Sequence, residues 1–281
     1  MRIPKPALLI IICIFFSMKT FASDREDAIC GSIKEPLVFW LWSTIPPAPD
    51  KNRIQDKRFI TPVEFEASDG AILRGYKYAS NDGQNNKTHP EGYVLVALGN
   101  AMIADQIISD FKAFAAQGLD VYIYDYRGYG NSDGKRRINA FIEDYKEIVS
   151  SLNQSYERAM LHGISIGGVV MMNVIGSGVK YDAAVIDSSP STLSNYGCPE
   201  RIDPVSYVPD DSQKLLIITG KKDTVLSEAQ TSELRILAES NGARTINDDD
   251  FAHPFMDRNF MTHLRRMQLV LNHLLNAGTS D

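Results

Sequence analysis

The 281-residue sequence predicts an α/β fold, with a mostly parallel central sheet, helices on both faces and no large cap domain. Three observations predict it. Short apolar runs of strand character alternate with stretches of helical spacing, the pattern of βαβ crossovers. Two early strands flank a tight Asp69-Gly70 turn, a hairpin signal that adds an antiparallel edge. The one long irregular insertion, "PSTLSNYGCPERIDPVSYVPDD", is too short and proline-broken for a helical cap.

Taken in order, "ITPVEFEAS" and "ILRGYKYAS" are the hairpin strands, and "GYVLVAL" is a buried strand. "MIADQIISDFKAFAAQG" has helical spacing with Gly118 as its stop. "DVYIYDY" is the next strand, "INAFIEDYKEIVSSLNQ" an amphipathic helix and "ERAMLHG" a strand. "GGVVMMNVIG" is a helix, and "AAVIDSS" and "KLLIITG" are strands. "SEAQTSELRILAESNG" is a helix capped by Ser227 and stopped by Gly242. "ARTIND" is a last short strand and "MDRNFMTHLRRMQLVLNHLLN" the closing helix. Together these define one domain over residues 59–276.

Ahead of that domain the composition changes. Residues 1–22 carry Arg2 and Lys5, an apolar run from about Ala7 to Phe16, and the small-residue end Thr20-Phe21-Ala22. That is the grammar of a cleaved export signal, and the run is short of the ~20 apolar residues of a bilayer span. Export to the periplasm or the exterior is expected, with a retained membrane anchor as the alternative. Residues 23–58, with little periodicity and several prolines, read as an arm whose "LVFWLW" cluster packs on the main body, a lipid-facing or pocket-rimming role being the alternative. Cleavage would remove Arg2, Lys5 and Lys19 and no acid, taking the formal charge from −6 to −9. This is the wrong sign for a nucleic-acid binder. In an oxidising compartment Cys30 and Cys198 are expected to pair, two separate thiols being the alternative. Neither a C-x-x-C nor an H-E-x-x-H spacing is present, so no metal and no cofactor are expected.

The chemistry centres on "LHGISIGG". A strand ends at His162-Gly163, Ser165 follows on the turn, and a helix leaves from Gly167. A serine on so sharp a turn projects its hydroxyl above the sheet, while Gly163 and Gly167 present no Cβ to crowd it. The helix N-terminus adds N–H groups and positive potential beside a developing oxyanion. An ordinary glycine-rich turn is the plain alternative. A serine nucleophile needs a base, and the base an orienting carboxylate. "KLLIITGKKD" places Asp223 just beyond one strand end, and "ARTINDDDFAHPF" places His253 beyond the next. Of five histidines, His89 lies in a polar loop, His162 inside a strand, and His263 and His273 on the closing helix; only His253 stands at the correct strand end. Asp248, Asp249 and Asp250 rank below Asp223, because they share the histidine's own loop. The oxyanion donors are expected at the backbone N–H groups of Ile166 and Asn100, with Ala101 as the neighbour of the second.

"LGNA", "DYRGYGNSDG", "GISIGG", "GKKD" and "FAHPF", in that order, resemble the α/β-hydrolases, in particular the compact, capless Bem46-like and monoglyceride-lipase-like serine hydrolases. The resemblance spans about Phe59 to Asn276. It implies an α/β-hydrolase fold and that Asp125, Arg127, Gly128 and Gly130 shape a loop, with Tyr129 bordering the pocket. The chain departs from the family at Leu98-Gly99, where His-Gly is usual, and this bears on the placement of Asn100. Ser188, Ser189, Tyr196 and Tyr207 are candidates for lining the pocket.

The expected activity is hydrolysis of carboxylic, lipid or acyl esters through an acyl-enzyme, with a small-molecule or lipid ester as partner and membrane contact left open. A thioesterase, an amidase or peptidase, and a catalytically silent binding protein are the alternatives.

Overall fold

The computed structural model describes residues 25–41, 47–81 and 90–277, the side chain of Leu41 excepted. The expected export signal lies outside the described residues, as does His89. Within them the elements run α1 (Lys34–Leu41), β1 (Ile60–Glu66), β2 (Ile72–Tyr78), β3 (Gly92–Ala97), α2 (Ala104–Ile107), α3 (Lys112–Ala115), β4 (Leu119–Tyr124) and α4 (Ile138–Leu152). They continue with β5 (Ala159–Ile164), α5 (Ile166–Gly176), β6 (Ala183–Asp187), β7 (Leu215–Gly220), α6 (Glu228–Ser240), β8 (Arg244–Asp248) and α7 (Phe260–Asn276).

The eight strands form one sheet in the order β1-β2-β4-β3-β5-β6-β7-β8. β1 and β2 make an antiparallel hairpin, β2 is antiparallel to β4, and every pairing from β4 to β8 is parallel. β3, β4, β5 and β6 are buried along their whole length, as strands covered on both faces must be. β1, by contrast, alternates exposed and covered side chains and carries Pro62, as suits an edge strand.

Two expectations need correction. The single helix expected over 102–118 is broken: a 3-10 turn, Ile108–Phe111, separates α2 from α3. The apolar side chains Ile107, Ile108, Phe111, Phe114 and Ala115 are all buried, so packing on the sheet decides the path over regular helical geometry. The arm is also more regular than its prolines imply. Residues 34–41 form α1, with Val38 and Phe39 buried and Leu37 and Trp40 facing outward. Its ring Phe39 meets Phe141 of α4 at 5.7 Å. Cys30 and Cys198 form a disulfide, which fastens the arm to the insertion after β6. That insertion holds only three short 3-10 turns, and no large cap stands over the sheet among the described residues.

Candidate functional site

β5 delivers Ser165 to a turn with φ 55° and ψ −119°, a positive-φ conformation that non-glycine residues rarely adopt. The reason for the flanking glycines is steric. A Cβ on Gly163 would lie 2.6 Å from the Gly167 carbonyl oxygen, and one on Gly167 would lie 2.1 Å from that of Ala97. On Gly168 it would meet the Ser189 Cβ at 2.4 Å. The turn is tied to β6 by the Ser165 N–H donating to the Asp187 carbonyl at 2.8 Å. Ile166 opens α5, whose side chains are buried as far as Ile175, so the unpaired N–H groups of its first turn lie inside the protein.

Asp223 and His253 come from the loops after β7 and β8. The loops are laced together: the Lys221 N–H donates to the Asp248 carbonyl and the Lys222 N–H to that of Phe251. Asp223 Oδ1 accepts from the N–H groups of Val225 and Leu226, while Oδ2 lies 2.8 Å from His253 Nδ1. Burial raises the Asp223 carboxyl's pKa, but the imidazole and these N–H groups outweigh it and hold the group below the usual carboxylate range. An ionised carboxylate only accepts, so the imidazole carries a proton on Nδ1, toward Asp223.

Ser165, His253, Gly99 and Asn100 line one cavity of about 600 Å³. Its walls include the apolar Met102, Ile107, Val225, Phe255, Met256 and Phe260 and the polar Gln106, Asp110, Asp257 and His263. Asp110 and His263 stand 4.0 Å apart, and burial pushes the Asp110 carboxyl up. Of the lining residues, Met256 and Phe260 are exposed to solvent.

Ile166 does not line the cavity; what it offers is its backbone position directly after Ser165. Ala101 adopts φ 58°, and its N–H is directed at the Tyr129 hydroxyl. Tyr129 is a correction to the expected pocket border: it is buried behind Asn100 and donates to the Asn100 Oδ1 at 2.6 Å. Ser188, Ser189, Tyr196 and Tyr207 do not line the cavity either. Tyr207 instead packs against Gly176, and Tyr196 bonds Gln230.

The "DYRGYGNSDG" segment works as scaffold. The Asp125 carboxylate accepts from the Ala104 N–H at 2.6 Å and leaves no room for a Cβ on Gly130. Arg127, buried, bridges Asp69 and Asp144. Arg266 is a residue the motif reading did not single out. It pairs with Asp187 at 2.9 Å and donates to the Ala252 carbonyl beside His253, so the His253 loop is anchored to the end of β6. Nothing local marks that role, since Asp187 is 79 residues away. Among the described residues, no three His, Cys, Asp or Glu side chains are placed to hold a metal ion. No described helix is long and apolar enough to cross a membrane.

A family model described as "Serine aminopeptidase, S33" matches residues 88–205, a span that contains Ser165 and stops before Asp223 and His253. Escherichia coli O157:H7 protein YfhR is 28% identical over 76% of this chain and 80% of its own. A monoacylglycerol lipase of Mycolicibacterium smegmatis is 32% identical over 39% of this chain and 41% of its own. In three dimensions the chain is similar to the Pyrococcus furiosus esterase Pf2001, at a TM-score of 0.62 and 17% identity. That likeness covers 84% of this chain and 100% of the esterase, and it is a likeness of fold.

Proposed function

Because this chain belongs to the α/β-hydrolase superfamily, we propose that it is a serine hydrolase that cleaves carboxylic esters, with Ser165 as nucleophile, His253 as base and Asp223 as its orienting acid. The observation that carries the reading is the Asp223–His253 hydrogen bond at the edge of the cavity that Ser165 also lines. In this reading His253 Nε2 takes the Ser165 proton as Oγ attacks the carbonyl carbon. The tetrahedral oxyanion is met by the N–H groups of Ile166 and Asn100. Protonated His253 then hands its proton to the leaving alkoxide, which departs as an alcohol. Water, deprotonated by His253, releases the acid from the acyl-enzyme.

The apolar side chains of the cavity wall support an acyl or lipid ester, and the monoacylglycerol lipase that the chain resembles over part of its length points the same way. Amide or peptide cleavage on the same residues is the second reading, favoured by the description of the matching family model. We also propose export, on the charged and apolar pattern of residues 1–22. N-terminal sequencing of the mature protein tests it, and a chain that still begins at Met1 refutes it.

For the activity, a fluorophosphonate probe labels the parent, and Ser165→Ala abolishes labelling and lowers kcat by ~10³-fold or more. Parallel turnover of p-nitrophenyl esters, thioesters and aminoacyl amides separates the substrate classes. A folded parent that is unlabelled and turns over none of them defeats the enzyme assignment in favour of a binding protein.

A further inference from the structure

The loop between β3 and α2 would have to hold a donor steady at the cavity, yet its own residues do not favour its shape. Ala101 at φ 58° is a non-glycine residue in the left-handed region, a strained conformation that persists only where surroundings over-determine it. Leu98 offers no side-chain polar group to help. The surroundings that hold the loop come from far along the chain. Asn100 is gripped at both ends: Oδ1 accepts from the Tyr129 hydroxyl at 2.6 Å, and Nδ2 donates to the Phe39 carbonyl of α1 at 2.6 Å. The Ala101 N–H is directed at the same Tyr129 hydroxyl.

Both clamping groups are themselves fixed. The Tyr129 ring is buried against Tyr126 and Phe141, with the Arg136 guanidinium over its face. In α1, the buried Glu35 carboxylate accepts from the Cys30 and Ile138 N–H groups, and the Cys30–Cys198 disulfide closes the segment onto the body.

We propose that the Tyr129 hydroxyl and the Phe39 carbonyl are positioning groups that clamp Asn100 so that its backbone N–H serves the oxyanion, which makes the N-terminal arm a working part of the site. The inference rests on the hydrolase reading above. Neither group touches substrate; each acts through Asn100. A donor stabilises a developing charge only if it is already aimed, so releasing the clamp raises the cost of the transition state and leaves the apolar wall that binds the acyl group unchanged. The loss therefore falls on kcat and not on KM.

Two variants of the full chain test this. Tyr129→Phe deletes one hydroxyl and keeps the ring packing. Cys30→Ser with Cys198→Ser removes the covalent tie that closes the arm onto the body without touching the cavity. Each is expected to lower kcat on a soluble ester by roughly 10- to 100-fold with KM near the parent value. The affinity for a trifluoromethyl ketone, which mimics the tetrahedral state, should fall in step; a merely structural role would not move it. Circular dichroism identifies the folded variants, and should one fail to fold the other carries the test. A folded Tyr129→Phe protein with the parent's kcat and ketone affinity overturns the clamp, and a folded double-serine protein with both at parent values overturns the part given to the disulfide-closed arm. If Ser165→Ala is inactive while both clamp variants work fully, the clamp alone is wrong. If Ser165→Ala is fully active, the hydrolase reading fails and the clamp falls with it.

Discussion

His162 lies three residues before Ser165 on β5, buried, with neither ring nitrogen bonded to a partner among the described residues. Burial first, and the nearby Arg266 charge second, push its pKa down to about 3. The unfolded chain therefore binds a proton on this imidazole from pH 6.5 downward while the folded chain does not. The stability conferred by the neutral ring is complete above about pH 6.5 and is lost progressively as pH falls toward 3. Between pH 7 and 5 the loss from this one group is ~2 kcal/mol. Asp125, pushed up to about 6 chiefly by burial, works in the opposite sense, because acidification neutralises it more readily in the folded state. Comparison with a variant isolates the histidine: His162→Leu should lose ~2 kcal/mol less than the parent over that interval, read from urea midpoints at the two pH values. Parallel pH profiles would refute the assignment. The residue-level features were unequally legible in the sequence. "GISIGG" announces itself because glycine, serine and glycine lie within five positions. The partners of Asn100 do not, because Tyr129 and Phe39 lie 29 and 61 residues away and only a hydroxyl and a carbonyl are used.

At the scale of elements, the approach of α5 to β3 is what aims Ser165. Gly167 stands where α5 crosses the end of β3, and an added Cβ would lie 2.1 Å from the Ala97 carbonyl oxygen and 2.7 Å from that of Leu98. Both are backbone atoms and cannot swing aside. Gly167→Ala must therefore push α5 off the sheet or displace the loop that carries Asn100, at a cost of ~1–3 kcal/mol or more. It is expected to lower the Tm and the kcat of the proposed hydrolysis together; an unchanged Tm and kcat would show that the crossing has slack. The strands and most of the helices were readable from period alone, because the inner strands are dry on both faces and are short apolar runs, while the edge hairpin carries a turn signal. Periodicity failed over 102–118, where buried Ile108 and Phe111 fill the sheet face through a 3-10 turn. It failed also over α1, whose "KEPLVFWL" is apolar on more than one side.

Across the whole molecule, charge and covalent closure tie the arm to the domain. Arg25 pairs with Asp144 and Glu147 of α4, Arg127 joins Asp69 to the same Asp144, and Arg53 meets the buried Asp105 at 2.8 Å. The disulfide spans 168 residues, so its loss releases a large loop in the unfolded chain. The double Cys30→Ser, Cys198→Ser protein should be less stable by ~2–5 kcal/mol in urea unfolding. Equal stability would mean that the arm's ion pairs and α1 packing suffice without the bond.

The sequence alone determined the alternation of strands and helices, the serine on a glycine-flanked turn, and the positions of Asp223 and His253 just beyond successive strand ends. Each of these is written in neighbouring residues, where steric and periodic rules act over a few positions. Tertiary structure decided what lies between them: the cavity wall, the Arg266 anchor under the His253 loop, and the two groups that grip Asn100. Those depend on which distant hydroxyls, carbonyls and carboxylates meet once the sheet has closed. A hydrogen bond across tens of residues leaves no periodicity in the chain that forms it.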